Sequence, residues 1–228
     1  MKVAIHQPNF FPYPGFFHKL ALSDTFVLMD NTQYDKKFTN RNRIIIPNGW
    51  IWLTVPINKK QKFLANRLIE INNNLKWKKE HLIKLEKSYN KSKYYKDYKK
   101  YFEKIYATDW NTLFELNYET LNMVINLLGI KIDVIKESEL NIKEKSTERL
   151  ISICKDVGAD TYVSGIGGKD YMDEKLFSKN NINLEYQNYT SIKYCQHLSD
   201  DFIPDLSIID LLSNVGNNSL KAILGEPY

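Results

Sequence analysis

The opening thirty residues constrain the fold more than any other stretch. A short apolar run, Lys2–Ile5, passes into a polar segment stiffened by Pro8, Pro12 and Pro14; a helical stretch follows from about Gly15 to Leu22, then a second apolar run, Thr25–Met29, that ends in Asp30-Asn31. Strand, loop, helix, strand is the start of a parallel sheet, because parallel neighbours need a crossover and a helix is the usual one. In such a sheet His6, Asp30 and Asn31 stand at the carboxyl ends of two neighbouring strands, where open α/β sheets bind ligands.

Strands are expected at Arg43–Ile46 and Trp50–Val55, with Pro47-Asn48-Gly49 as the turn of a β-hairpin. A further strand is expected at Arg67–Ile71. Helices follow at Leu75–Asn90, Ser92–Tyr106 and Asn111–Leu128, with Gly129 as a C-terminal cap. The alternation then resumes with a strand at Ile132–Ile135, a helix at Thr147–Val157, a strand at Thr161–Val163, a short helix at Asp173–Lys179 and a strand at Ile182–Tyr186. Two helical segments close the chain, Asp205–Leu212 started by Pro204, and Asn218–Leu224. The pattern predicts one α/β domain over residues 1–228, built on a mostly parallel, Rossmann-like sheet with a β-hairpin, and with residues 75–128 as a helical insertion or cap.

Three segments suit ligand chemistry. In His6-Gln7-Pro8-Asn9 the prolines leave His6, Gln7 and Asn9 little freedom to lose on binding. In the second, Asp30 and Gln33 precede Asn40-Arg41-Asn42-Arg43, whose two arginines share a strand face and would present paired guanidinium forks to phosphate or carboxylate. The third, Ser164-Gly165-Ile166-Gly167-Gly168-Lys169-Asp170, puts a glycine-rich turn with a lysine after a strand, a setting in which backbone amides can approach an anion. It has neither the spacing of a P-loop nor that of a dinucleotide fingerprint.

Other functions are excluded or reduced by what the chain lacks. No HExxH, GxSxG or paired metal-ligand spacing occurs, so no metal site is assigned; His6 with His18 is a minor alternative. Cys154 and Cys195 read as buried thiols, His81 as surface, and Asp205 as a first-turn helix residue. No apolar run is long enough to span a membrane and the N-terminus has no signal-like core, so a cytoplasmic location is expected. The net charge is +5, concentrated in Lys76–Lys104, where lysines alternate with Tyr89, Tyr94, Tyr95, Tyr98, Tyr101 and Tyr106. That stretch reads as a solvated helix face, with a nucleic-acid surface as the alternative.

The segments HQPNFFPYPGFFHKLALSDTFVLMDNTQYDKKFTNRNRI, LKWKKEHLIKLEKSYNKSKYY, SGIGGKDYMD and FIPDLSIIDLL resemble the WbqC-like family along nearly the whole chain. The resemblance implies a place in surface-polysaccharide or O-antigen assembly, and the attachment of glycine or another small acyl group to a nucleotide-linked amino sugar. It carries His6, Gln7, Asn9, Asp30, Gln33, Asn40, Arg41, Asn42, Arg43, Gly167, Gly168, Lys169 and Asp170 as motif positions. On that basis Arg41, Arg43 and Lys169 would hold a diphosphate or an activated acyl or aminoacyl donor, with Ser164 beside them. His6, with an ordinary pKa of about 6.5, would be the general base, and Asp30 would orient it or bind a hydroxyl. The alternatives are nucleotidyl or phosphoryl transfer, and non-catalytic binding of a glycan precursor or transfer RNA.

Overall fold

The first apolar run forms the middle strand of a five-stranded sheet in the computed structural model, which describes residues 1–228. β1 (Lys2–His6) is followed by α1 (Pro14–Ala21) and β2 (Thr25–Leu28), and the sheet is completed by β5 (Asp133–Lys136), β6 (Thr161–Ser164) and β7 (Asn183–Tyr186). The order is β5-β2-β1-β6-β7 and every pairing is parallel. All four residues of β2 and of β6 are buried, as a sheet covered on both faces requires. Side chains alternate between two cores: Ala4, Phe26 and Leu28 enter the larger, and Val3, Ile5 and Val27 the smaller.

From β1 the chain winds outward through β2 to β5. It then returns across the sheet by α5 (Ser146–Asp156) to β6, and continues through α6 (Glu174–Lys179) to β7. The direction of winding therefore reverses between β1 and β6, and the connections leaving these two strands diverge. A crevice at their carboxyl ends follows from that topology.

Between β2 and β5 lies the hairpin of β3 (Arg41–Ile46) and β4 (Gly49–Thr54), turning at Pro47-Asn48 with Asn48 at φ 57°. α2 (Trp77–Tyr89), α3 (Tyr95–Ala107) and α4 (Leu113–Leu128) follow. Thr112 and Glu115 form a reciprocal capping box at the start of α4, and Gly129 ends it at φ 71°. α7 (Ile208–Val215) and α8 (Ser219–Leu224) complete the chain. Leu85 of α2, Phe102 of α3, Leu116 of α4 and Ile209 of α7 share the larger core with Ala4 and Phe26. No helix is long and apolar enough to cross a membrane.

Four local expectations are corrected. Arg67–Ile71 is no strand: Asn66–Leu68 form one 3-10 turn, and Glu70 and Ile71 make only isolated bridges to Thr112 and Ile57, so alternation here reflects burial of Ile69 and Ile71 without a continuous partner. The penultimate helix starts at Ile208, not Asp205. Asp205 has φ 55°, and Ser207 caps the helix by accepting from the N–H of Ile209. His81 is 2% exposed: Nε2 bonds the Thr54 carbonyl (3.0 Å) and Nδ1 the Tyr106 hydroxyl (3.2 Å), because Trp77, His81 and Leu85 fall on the face of α2 turned to the core. Cys195 is exposed while Cys154 is buried, since Cys195 lies in the irregular segment between β7 and α7.

Candidate functional site

The crevice at the β1/β6 reversal has two lobes that share His6 and the rim residues Lys37 and Phe38. The first lobe, about 490 Å³, is bordered by Gln7, Asn9, Thr32, Asp35, Ser146 and Arg149. The second, about 650 Å³, lies between Lys19 of α1, the Ser164–Gly168 turn and the segment Gln187–Tyr189. A larger groove of about 1010 Å³ runs beyond the hairpin. Most of its amide side chains are already engaged: Asn40 bonds Val55 and Tyr34, Asn58 the N–H of Lys60, Asn72 the N–H of Asn74, and Asn73 Trp110 and Trp77. The crevice offers freer polar groups at the place the topology prescribes.

His6 ends β1 at the seam of the lobes. Its Nδ1 lies 2.9 Å from the Gln7 carbonyl oxygen, so Nδ1 carries the proton and donates, leaving the Nε2 lone pair free. Phe16 stands edge-on at 5.0 Å. Burial, with the nearby Lys19 charge adding to it, lowers the His6 pKa to about 3. The imidazole is therefore neutral, which corrects the expectation of a base poised near 6.5.

Of the expected site residues, His6, Gln7 and Asn9 border the first lobe, and Ser164, Gly167 and Gly168 the second. Gly168 is dictated by packing: a Cβ there would collide with the Ser164 Oγ and lie 2.6 Å from Met172 Cε. Lys169 and Asp170 are exposed and border neither lobe, and the Lys169 ammonium sits 4.8 Å from the Tyr186 ring centre. Lys169 therefore does not share the cleft with His6, because the 3-10 turn Ile166–Asp170 rotates it outward.

The second segment is held in the framework instead. Asp30 is buried and accepts from the Ser138 N–H at 2.9 Å, with no bond to His6. Gln33 makes an isolated bridge to Ala65. Asn42 donates to the Phe11 carbonyl (2.7 Å) and ties the proline-rich loop to the hairpin. Arg41 and Arg43 do share a face, but each lies on a tryptophan: Arg41 is 4.1 Å from the Trp52 ring centre and Arg43 5.3 Å from Trp50. Arg43 also donates to the Asp205 carbonyl at 2.8 Å, and neither arginine borders the crevice.

The tyrosines of the lysine-rich helices are mostly core: Tyr89, Tyr95, Tyr98 and Tyr106 are buried. Those four rings are not available to stack on bases, whereas Tyr94 and Tyr101 are half-buried, with the ammonium groups of Lys93 and Lys100 over their faces.

The model of the WbqC-like protein family matches residues 7–222. The chain belongs to the WbqC-like family. A Mycobacterium tuberculosis (strain ATCC 25618 / H37Rv) protein described as uncharacterized protein Rv1507c is 33% identical over 217 residues, 94% of each chain. No solved structure matches.

Within this family member the crevice brings in residues that sequence motifs did not single out. Arg149 faces the first lobe and pairs with the buried carboxylate of Glu137. Lys37 lies on the rim of both lobes. Lys19, 4% exposed, borders the second. The signal for Lys19 was present: α1 reads Pro-Gly-Phe-Phe-His-Lys-Leu-Ala, apolar nearly all round, and such a helix is enclosed, carrying its polar residues inside.

Proposed function

We propose that the chain is a transferase that joins glycine or another small acyl group to the amine of a nucleotide-linked amino sugar in surface-glycan assembly. The position of His6 carries this reading: its ring borders both lobes, so groups held in the two lobes would meet at its free Nε2. Each lobe is within the size range of small-molecule sites. Lys37, on the rim of both lobes, supplies positive charge for an anionic acceptor, and family membership supports the glycan setting.

In the transfer, the amine nitrogen attacks the acyl carbonyl carbon. The new N–C bond replaces the bond from that carbon to the donor's leaving group, and one proton leaves the nitrogen. His6 Nε2 accepts the hydrogen bond from the amine and passes that proton to the leaving group. Its basicity is low in the empty crevice, and an anionic substrate alongside raises it.

The test is incubation of the full chain with nucleotide-linked amino sugars and activated glycyl or acyl donors, read by mass spectrometry. A product bearing one acyl group is expected, with His6→Ala lowering kcat by about 100-fold or more. Absence of product across the panel sinks the transferase reading; full turnover by a folded His6→Ala variant sinks the role of His6.

A further inference from the structure

The second lobe of the crevice holds a buried cation without a counter-charge. Lys19 Nζ makes one hydrogen bond, to the Ile5 carbonyl at 3.3 Å, and lies 6.0 Å from the Phe16 ring centre. It takes part in no ion pair, and none of the residues bordering the lobe is Asp or Glu. The charged or titratable groups facing it are His6 from β1 and Lys37 at the rim, with His18 beside it on α1. Tyr13, Tyr162, Tyr171 and Tyr189 complete the lobe, and burial raises all four phenols so that they stay neutral.

A buried ammonium in such surroundings is costly, and desolvation lowers the Lys19 pKa to about 7. The opposite wall is backbone. At Gly165 and Gly167 an added Cβ would meet nothing within 4 Å, so the main chain there is open to close approach by a ligand.

We propose that the lobe between Lys19 and the Ser164–Gly168 turn is a binding site for a phosphate or diphosphate group, and that Lys19 takes up a proton as the anion binds. This deepens the transferase reading by placing the nucleotide's diphosphate away from Arg41, Arg43 and Lys169. It rests on that reading for the nucleotide only, since the anion site stands apart from the chemistry performed beside it. The linkage has a definite sign. An anion restores the ammonium, so uptake is near zero where Lys19 is already charged and approaches about one proton where the empty site is deprotonated.

The experiment is titration calorimetry of the full chain with inorganic pyrophosphate and with uridine diphosphate, at about pH 6 and about pH 8.5, in buffers of different ionisation enthalpy. Wild type is expected to take up about one proton more than Lys19→Met at the higher pH and to match it at the lower, the terminal-phosphate protons of the probes cancelling in the comparison, and Lys19→Met should weaken affinity about tenfold or more. Arg41→Ala should leave both unchanged. In the wild-type chain with 13C-labelled lysine Cε, one lysine resonance with a depressed titration midpoint should return to the charged position on adding pyrophosphate, a readout that does not depend on the variant folding. Failure of both probes to bind, or proton uptake by Lys19→Met equal to that of wild type at the higher pH, overturns the site. Anion binding with uptake but no acyl product would leave the site standing and refute the transferase; product formation with unchanged affinity in Lys19→Met would do the reverse.

Discussion

His6 Nδ1 and the carbonyl oxygen of Gln7 are 2.9 Å apart, and this bond between adjacent residues fixes which ring nitrogen carries the proton. The same logic operates in the core, where His81 donates through Nε2 to Thr54 and accepts at Nδ1 from Tyr106. Both rings are bonded as neutral imidazoles, and burial lowers both pKa values to about 3.

Neither histidine should titrate between about pH 5 and pH 8, as followed by their ring proton resonances. Because the folded pKa lies below the unfolded value of about 6.5, the unfolded chain takes up protons first. The stabilisation from a neutral His81 is complete above about pH 6.5 and is lost as pH falls from there toward 3, at about 1.4 kcal/mol per pH unit. Urea denaturation at pH 7.5, 5.5 and 4.5 measures this, with His81→Leu removing its share of the slope and leaving that of His6. A wild-type His81 resonance titrating near pH 6.5 would contradict it.

Arg43 is committed to the scaffold by Trp50 and the Asp205 carbonyl. Arg43→Ala should cost about 1–2 kcal/mol of stability by chemical denaturation. Affinity for a ligand in the crevice should stay within about twofold, because this side chain does not border it. A large loss of ligand affinity with unchanged stability would restore the arginine fork as a binding device.

Asp210 is fully buried and accepts from Tyr194 (2.7 Å) and Gln196 (2.9 Å), both at Oδ2, while Oδ1 has no partner. Desolvation raises its pKa to about 6 against the donors that favour the carboxylate. The folded state thus holds this proton more tightly than the unfolded chain, so the contribution of Asp210 to stability is greatest below about pH 4 and is lost as pH rises through 6. Asp210→Asn keeps an oxygen for both donors and removes the charge. Its stability should match the wild type at about pH 4.5 and exceed it by about 1–3 kcal/mol at pH 8. Calorimetric Tm values at the two pH values decide it; a variant less stable at pH 8 would show that the carboxylate is required.

The strand-helix alternation, the Pro-Asn turn, the Gly129 stop and the family motifs were legible because each is written in local spacing: apolar periods of two or 3.6, and residues tolerant of unusual φ. The carboxyl-end location of His6 followed from the same pattern. Local spacing could not reveal the winding reversal between β1 and β6, which depends on the chain crossing back from β5 through α5 to pair β6 with β1. Nor could it reveal that His81 faces the core, that Arg41 and Arg43 lie on tryptophans of the partner strand, or that the turn after β6 aims Lys169 outward. Sequence alone determined most of the elements and the end of the sheet that carries polar residues. Tertiary structure decided which of those residues share a cavity and which are spent on packing, because desolvation and hydrogen-bond partners arise only when distant segments meet; Lys19, in the last turn of α1, becomes a buried charge only once β1 and the Ser164–Gly168 turn close around it.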